Sequence, residues 1–152
     1  MVGDWVSLFS SWLSEESLES AGWPPAEHLY HTIIDYARCL IDIHETDRRY
    51  FEWRREGKNS ERYYLGNAQG VFYRRGLILI RASLSWEKKL IVLLHELAHW
   101  MGARTEALAD AAAFLVAVRA GMPARVALKC AFGCYRKNPE AAEIFFQKNT
   151  WK

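Results

Sequence analysis

Two histidines four residues apart, with a glutamate directly after the first, lie in an apolar segment that reads IVLLHELAHWM. The segment has the length and the apolar spacing of a buried helix. Residues i and i+4 share one helix face about one turn apart, so the imidazoles of His95 and His99 can reach the same ion. The alternative is a pair of core histidines that hydrogen-bond to their neighbours. Because burying these groups without partners is costly, we expect a metal site.

Glu96 follows His95 and is rotated from it by about 100° around the helix axis. From this position its carboxylate can lean over a bound metal, accept a proton from a metal-activated water and pass it to a leaving amine. Zn²⁺ is the expected ion, since its catalytic sites combine three protein ligands with one open position. The sequence therefore predicts a zinc site with Glu96 as general base.

The third ligand is expected in the segment RTEALAD, where Glu106 and Asp110 share one helical face. Gly102 can end the first helix, and Thr105 can cap a second helix that lies across it. Glu106 would then return to the metal, and Asp110, one turn deeper, would accept an N–H from a liganding imidazole. Two alternatives stay open: Asp110 as the ligand itself, and Glu106 as a residue that only favours the helix N-terminus through the helix dipole.

The succession of LHELAHW and EALAD resembles the zincin metallopeptidases of the Glu-zincin kind, in which HExxH is followed by ExxxD. With GLILIRA before it, the arrangement is similar to the ImmA/IrrE-type metallopeptidase domain, and it also resembles ArdC-like antirestriction proteins. The likeness covers about residues 71–118, and the gap between the second histidine and the glutamate is shorter than in most Glu-zincins. It implies peptide-bond hydrolysis, with the roles of these residues as follows: His95, His99 and Glu106 as zinc ligands, Glu96 as general base, and Asp110 as an outer partner.

The resemblance also implies where a substrate would bind. Zincins pair an extended peptide with an edge strand, and the apolar run at residues 77–81 is the candidate strand. Its proposed substrate-binding residues are Leu77, Leu79 and Arg81. A donor for the oxyanion that develops at the substrate carbonyl is expected near the metal. The candidates are Tyr73, Arg104, Arg119 and Tyr135.

The remaining pattern predicts a single α+β domain over residues 1–152, with an N-terminal helical extension over residues 1–24. Apolar spacing predicts a helix from Ala26 to about Glu45, and β-rich runs between residues 48 and 84 predict three or four short strands. Further helices are expected at residues 85–101, 105–121, 122–137 and 139–148. Combined with the resemblance, this is a minimal zincin: a small, mostly antiparallel twisted sheet, a backing helix, the active-site HExxH helix and a helical C-terminal part.

Arginines alternate with aromatic residues between residues 48 and 75, a pattern that could hold single-stranded nucleic acid by stacking and phosphate contacts. We favour ordinary strand alternation, with the rings inward and with Glu52, Glu56 and Glu61 offsetting the charge. A formal net charge of +2 is too small to indicate nucleic-acid binding by itself. A nucleic-acid-binding, antirestriction-type protein with a zinc site is therefore the second functional hypothesis, after a peptidase that acts on a peptide or protein.

Location is indicated only by what the sequence lacks. Its three cysteines form no CxxC and no even disulfide framework, which favours a reducing compartment. The first residues carry no basic region of the signal-peptide kind, and no window approaches the roughly 18 to 20 apolar residues of a membrane span. We expect a cytoplasmic protein that does not interact with membranes.

Overall fold

The computed structural model describes residues 25–123 together with Val126, Ala127 and Cys130. These residues form three helices and five strands, which confirms the α+β class. In chain order the elements are α1 (Ala26–Ala37), β1 (Asp42–Thr46), β2 (Tyr50–Trp53), β3 (Glu61–Tyr64), β4 (Gly70–Tyr73), β5 (Leu77–Arg81), α2 (Trp86–Trp100) and α3 (Glu106–Arg119). The expected extension over residues 1–24 and most of the two expected C-terminal helices lie outside the described residues.

Three strands form a mixed sheet in the order β1-β5-β4. β1 runs parallel to β5, with Ile43 opposite Ile78, and β4 runs antiparallel to β5, with Val71 opposite Leu79. β2 and β3 form a separate antiparallel pair. The expectation of a mostly antiparallel sheet is thus corrected to a mixed one, because a parallel strand that the sequence analysis assigned to a helix joins it.

That parallel strand, β1, replaces the second half of the long helix predicted from Ala26 to about Glu45. The helix ends at Ala37, and the amide of Ile41 donates to the Ala37 carbonyl at 3.0 Å as the chain turns. Ile41 and Ile43 fit a helical spacing and a strand alternation equally well. The prediction was wrong because β5, far away in the sequence, offers β1 a row of backbone partners that no local pattern reveals.

The alternating side chains of β5 separate the interior into two apolar clusters. Ile78 and Ile80 point towards the helices, where they pack with Ile43 and with the buried face of α2. Leu77 and Leu79 point the other way, into a cluster that includes Trp53 and Leu65 and is closed by the β2–β3 hairpin. The described chain therefore has three layers, helices, mixed sheet and hairpin, with β5 covered on both faces and paired on both edges.

Helices α2 and α3 begin and turn as the sequence predicts. The hydroxyls of Ser85 and Thr105 accept the amides of Lys88 and Leu108 at 3.3 and 3.1 Å, so both are side-chain N-caps. Gly102, at a φ of 117°, takes the left-handed conformation that reverses the chain after α2. Small residues of α3, largely buried alanines, then allow it to pack closely along α2. None of the helices in the described part of the chain is long and apolar enough to cross a bilayer.

Candidate metal centre

Three side chains converge where α2 ends and α3 begins: those of His95, His99 and Glu106. The two Nε2 atoms lie 3.2 Å apart. The Glu106 carboxylate places Oε2 at 2.9 Å from the Nε2 of His95 and Oε1 at 3.0 Å from the Nε2 of His99. Tetrahedral ligands at zinc-like bond lengths are about 3.3 Å apart, so small shifts of these atoms would complete the geometry.

The hydrogen bonds at the Nδ1 atom of each ring determine whether the Nε2 atom carries a proton or a lone pair. The Nδ1 of His95 lies 2.7 Å from Oδ1 of Asp110, and the Nδ1 of His99 lies 2.9 Å from the carbonyl oxygen of Ala103. Both partners are acceptors, so each Nδ1 carries a proton and donates it. In the neutral rings both Nε2 atoms are therefore lone pairs that face each other and a carboxylate. A cation satisfies all three groups at once, so this group could hold a metal ion.

The two helices place these groups because of their local geometry. His99 is one turn beyond His95, and the connection Met101–Thr105 is just long enough to return the first turn of α3 to both rings. The short gap between the second histidine and Glu106 is thus sufficient for contact. Asp110 is fully buried and contacts the Nδ1 side of His95, opposite the converging atoms. Asp110 therefore contacts His95 from the other side of the ring and is not one of the three converging groups.

Glu96 is almost fully buried beside this group, at 5% exposure. Burial raises the pKa of its carboxyl to about 7; the charge of His95 opposes this shift, and the charges of Glu106 and Asp110 add to it. For His95, burial lowers the pKa, but the hydrogen bond to Asp110 and the surrounding carboxylates outweigh burial and raise it. A carboxyl group with a pKa near neutrality can both take up and release a proton at that pH.

Gly70, at the start of β4, lies against Glu96, a contact that was not predicted from the sequence. A Cβ atom built there would lie 2.5 Å from Cγ1 of Val92 and 3.2 Å from Oε2 of Glu96. The backbone of β4 therefore approaches the Glu96 carboxylate as closely as a glycine allows. An isolated glycine at the start of a strand pattern is a signal of such close approach.

A cavity of about 970 Å³ opens beside the metal-binding group. One wall is β4 and the residue after it, and the other is the end of α2 and the connection to α3. The side chains that line it include Phe72, Arg74, Glu96, His99, Trp100, Arg104 and Glu106. The proposed general base and two of the converging ligands therefore face the same open space.

The expected substrate strand is wrong. β5 is central, and Leu77 and Leu79 are fully buried beneath the hairpin, so neither can contact a substrate. Arg81 donates to the carbonyls of Gly66 and Ala68 and holds the loop before β4 instead of lining the cavity. Whether a strand is central or at an edge depends on which distant strands pair with it, and the sequence pattern of β5 carries no such information.

The edge that faces the cavity belongs to β4, which pairs only with β5 within the described chain. The amide of Arg81 donates to the Gln69 carbonyl at 2.8 Å, so residues 69 and 81 form a hydrogen-bonded pair. Such pairs alternate along an antiparallel ladder. The N–H and C=O groups of Gly70 and Phe72 consequently point away from β5, towards the open edge, and both residues line the cavity.

The candidate oxyanion donors lie in different places. Arg104 lines the cavity, whereas the hydroxyl of Tyr73 donates to the Tyr64 carbonyl on the hairpin side of the sheet. Arg119 ends α3, about 20 Å along the helix axis from Glu106. Tyr135 lies outside the described residues. Geometry thus favours Arg104 among the described candidates.

The basic and aromatic stretch forms strands with alternating faces, as predicted, but only part of its rings point inward: Tyr50 and Tyr64 are exposed. The rings of Phe51, Trp53 and Tyr63 pack inward beneath the hairpin. On the outside, arginines pair with glutamates in three ion pairs: Arg55–Glu61, Arg75–Glu61 and Arg62–Glu52. The negative charges of two glutamates thus offset part of the positive charge of these three arginines.

Comparisons with known proteins were made for the whole chain. No family model, no curated protein sequence and no solved structure matches it. Its function is therefore argued from the geometry of the metal-binding group and of the cavity beside it.

Proposed function

We propose that this chain is a zinc-dependent peptidase with the fold of a minimal zincin, in which Glu96 is the general base. The observation that carries the proposal is the convergence of two imidazole lone pairs and a carboxylate at about 3 Å, beside a second, buried carboxylate and an open cavity. Two histidines and one carboxylate are a common ligand set of catalytic zinc, and a cavity at the fourth position leaves room for water and substrate.

Each residue has a separate task in this proposal. His95, His99 and Glu106 hold the ion, while Asp110 and the Ala103 carbonyl orient the two imidazoles. When bound, zinc supplies the Lewis acidity that lowers the pKa of water towards about 7 and polarises a carbonyl. The carboxylate of Glu96 takes the proton of the attacking water and delivers it to the amine that leaves.

An extended peptide fits the open edge of β4. Its backbone would pair antiparallel with the outward N–H and C=O groups of Gly70 and Phe72, as in strand addition to a free sheet edge. Because Gly70 lies against Glu96, the peptide bond opposite Gly70 would be held beside the general base. β4 thus takes the role that the sequence analysis gave to β5.

The test combines metal analysis with cleavage of a quenched-fluorescent peptide library. We expect about one zinc per chain in the wild type, and the same zinc content in Glu96→Gln with cleavage reduced by about 10²- to 10⁴-fold. Glu56→Gln, an exposed glutamate of the β2–β3 turn, is the matched control and should cleave as the wild type does. Cleavage that survives Glu96→Gln, or protein purified without metal, would reject the proposal.

A second function, binding of single-stranded nucleic acid, is supported by one observation. The rings of Tyr50 and Tyr64 are exposed on the outer face of the hairpin with centroids 5.2 Å apart, and the Arg62 guanidinium lies over Tyr50 at 4.6 Å. Such rings can stack with bases. Salt-sensitive binding of a single-stranded oligonucleotide that is lost in the double variant Tyr50→Ala and Tyr64→Ala would support this function, and unchanged binding would exclude this surface.

A further inference from the structure

Two arginines face the cavity from opposite walls. Arg74 follows β4, and Arg104 lies in the connection between α2 and α3. Within the described part of the chain, neither guanidinium forms an ion pair or a hydrogen bond. The same is true of Arg48, Arg49 and Arg54, which do not line this cavity, whereas Arg55, Arg62, Arg75 and Arg81 all have partners. Among the described residues, neither of these two cavity-lining arginines has an acidic partner.

Arg74 and Arg75 form the turn after β4, and their side chains leave it towards opposite faces of the sheet. Val71 and Tyr73 pack beneath the hairpin, while Phe72 packs on the helix side. Arg74 continues the Phe72 side and lines the cavity, and Arg75 continues the other side and pairs with Glu61. Two adjacent arginines therefore have different roles, one in the ion pairs of the hairpin and one in the cavity wall.

The backbone of Arg104 is fixed on both sides. The carbonyl of Ala103 accepts the Nδ1 proton of His99, and Thr105 caps α3. The side chain consequently projects from a rigid point two residues before Glu106. Neither of the carboxylates on the cavity wall forms an ion pair with these arginines: both oxygens of Glu106 contact the imidazoles, and Glu96 is buried.

We propose that Arg74 and Arg104 select peptides with acidic side chains within a few residues of the cleaved bond; this inference rests on the proposed peptidase function. A guanidinium binds a carboxylate through two parallel hydrogen bonds, a geometry that a lysine or a neutral donor does not offer. A peptide antiparallel to β4 that is cleaved opposite Gly70 has its preceding residues opposite Phe72 and, beyond the end of β4, beside Arg74 in the turn. Arg74 therefore selects acidic residues about two to four positions before the cleaved bond.

The experiment uses two fluorescein-labelled decapeptides of Ala, Ser and Val, one with Glu at alternate positions and the other with Gln there. Cleavage by the zinc-loaded wild type and binding to zinc-loaded Glu96→Gln, measured by fluorescence anisotropy, are both recorded. We expect the Glu peptide to be favoured by about 5- to 10-fold at low salt in both measurements, with a smaller ratio at high salt.

Variants assign the preference to residues. Arg74→Gln should bring the Glu-to-Gln ratio close to one. Arg74→Glu should favour a third, matched peptide with Lys at the same positions over the Glu peptide. Arg75→Gln, next to it in sequence but paired with Glu61, is the control and should keep the wild-type ratio. Arg104→Gln should lower the ratio as well; an equal loss of turnover on both peptides would instead assign Arg104 to the oxyanion and remove it from the proposal.

The two readouts separate this inference from the proposed function. Cleavage with no preference for Glu, or a preference that survives Arg74→Gln, overturns the inference and leaves the peptidase intact. Preferential binding of the Glu peptide without any cleavage by the wild type supports acidic recognition and counts against the peptidase. If neither peptide is bound and neither is cleaved, both the inference and the proposed peptidase function are overturned.

Discussion

Replacing Gly70 by alanine tests the close approach of β4 to α2. The new Cβ would lie 2.5 Å from Cγ1 of Val92 and 3.2 Å from Oε2 of Glu96. Carbon atoms pack best at about 3.5 to 4.0 Å, so the first contact must lengthen by about 1 Å. Val92 is fully buried and β4 is held by its ladder to β5, so the valine must leave its rotamer or β4 must move away from the helix.

Either response lowers the free energy of unfolding. Overpacking of a core by one methyl group costs about 1 to 3 kcal/mol. The lower entropy of the unfolded alanine chain offsets about 0.4 to 1 kcal/mol of this, since Gly70 does not need a positive φ. We expect a net loss of about 1 to 2 kcal/mol for Gly70→Ala, measured by urea unfolding. Zinc binding should persist while peptide cleavage falls, because the new methyl group would also displace the nearby Glu96 carboxylate, which is not a proposed zinc ligand.

A double-mutant cycle identifies the contact responsible. Val92→Ala removes the methyl group that the new Cβ meets. The double variant should therefore be more stable, by about 1 kcal/mol or more, than the sum of the two single losses predicts. Val116→Ala removes a buried valine of α3 and, in combination with Gly70→Ala, should give additive losses. Additivity in the Val92 cycle, or a Gly70→Ala variant as stable as the wild type, would refute the close approach.

Three further outcomes are expected. Asp110→Asn weakens the orienting contact to His95 and should reduce zinc affinity by about 10- to 100-fold in a chelator competition; an unchanged affinity would contradict the role given to Asp110. Removal of zinc by a chelator should lower the melting temperature, by an amount equivalent to about 2.7 kcal/mol when free zinc had been 100 times its Kd, and added zinc should restore it. Burial lowers the pKa of His44, so the unfolded chain takes up this proton first as pH falls below about 6.5, and the free energy of unfolding should decrease from there towards the folded pKa. His44→Gln should flatten that part of the pH profile, and a profile identical to that of the wild type would assign the decrease to other groups.

Helices α2 and α3 and the group they form could be predicted because every determinant is local. The caps Ser85 and Thr105, the turn at Gly102 and the helical spacing of His95 and His99 all lie within a short stretch of chain. The predicted contacts of Glu106 and Asp110 follow from the same spacing.

The sheet could not be predicted to the same degree, because its order depends on pairing between distant residues. Ile41 and Ile43 suit a helix or a strand, and only the backbone of β5 decides between them. The central place of β5 and the edge position of β4 arise in the same way. The different roles of Arg74 and Arg75 depend on which face of β4 meets the cavity, which became apparent only with the sheet in place.

The short connection between α2 and α3 has a consequence for how the protein would respond to binding and removal of a metal ion. The three converging ligands fall between residues 95 and 106, so an ion would close only a short loop and restrict few chain conformations. It would act on the junction of two neighbouring helices and would not bind to the β1–β5 ladder itself. We therefore expect amide hydrogen exchange in the metal-free protein to accelerate in the first turns of α3 while the amides of β5 stay protected, so that partial opening begins at Thr105.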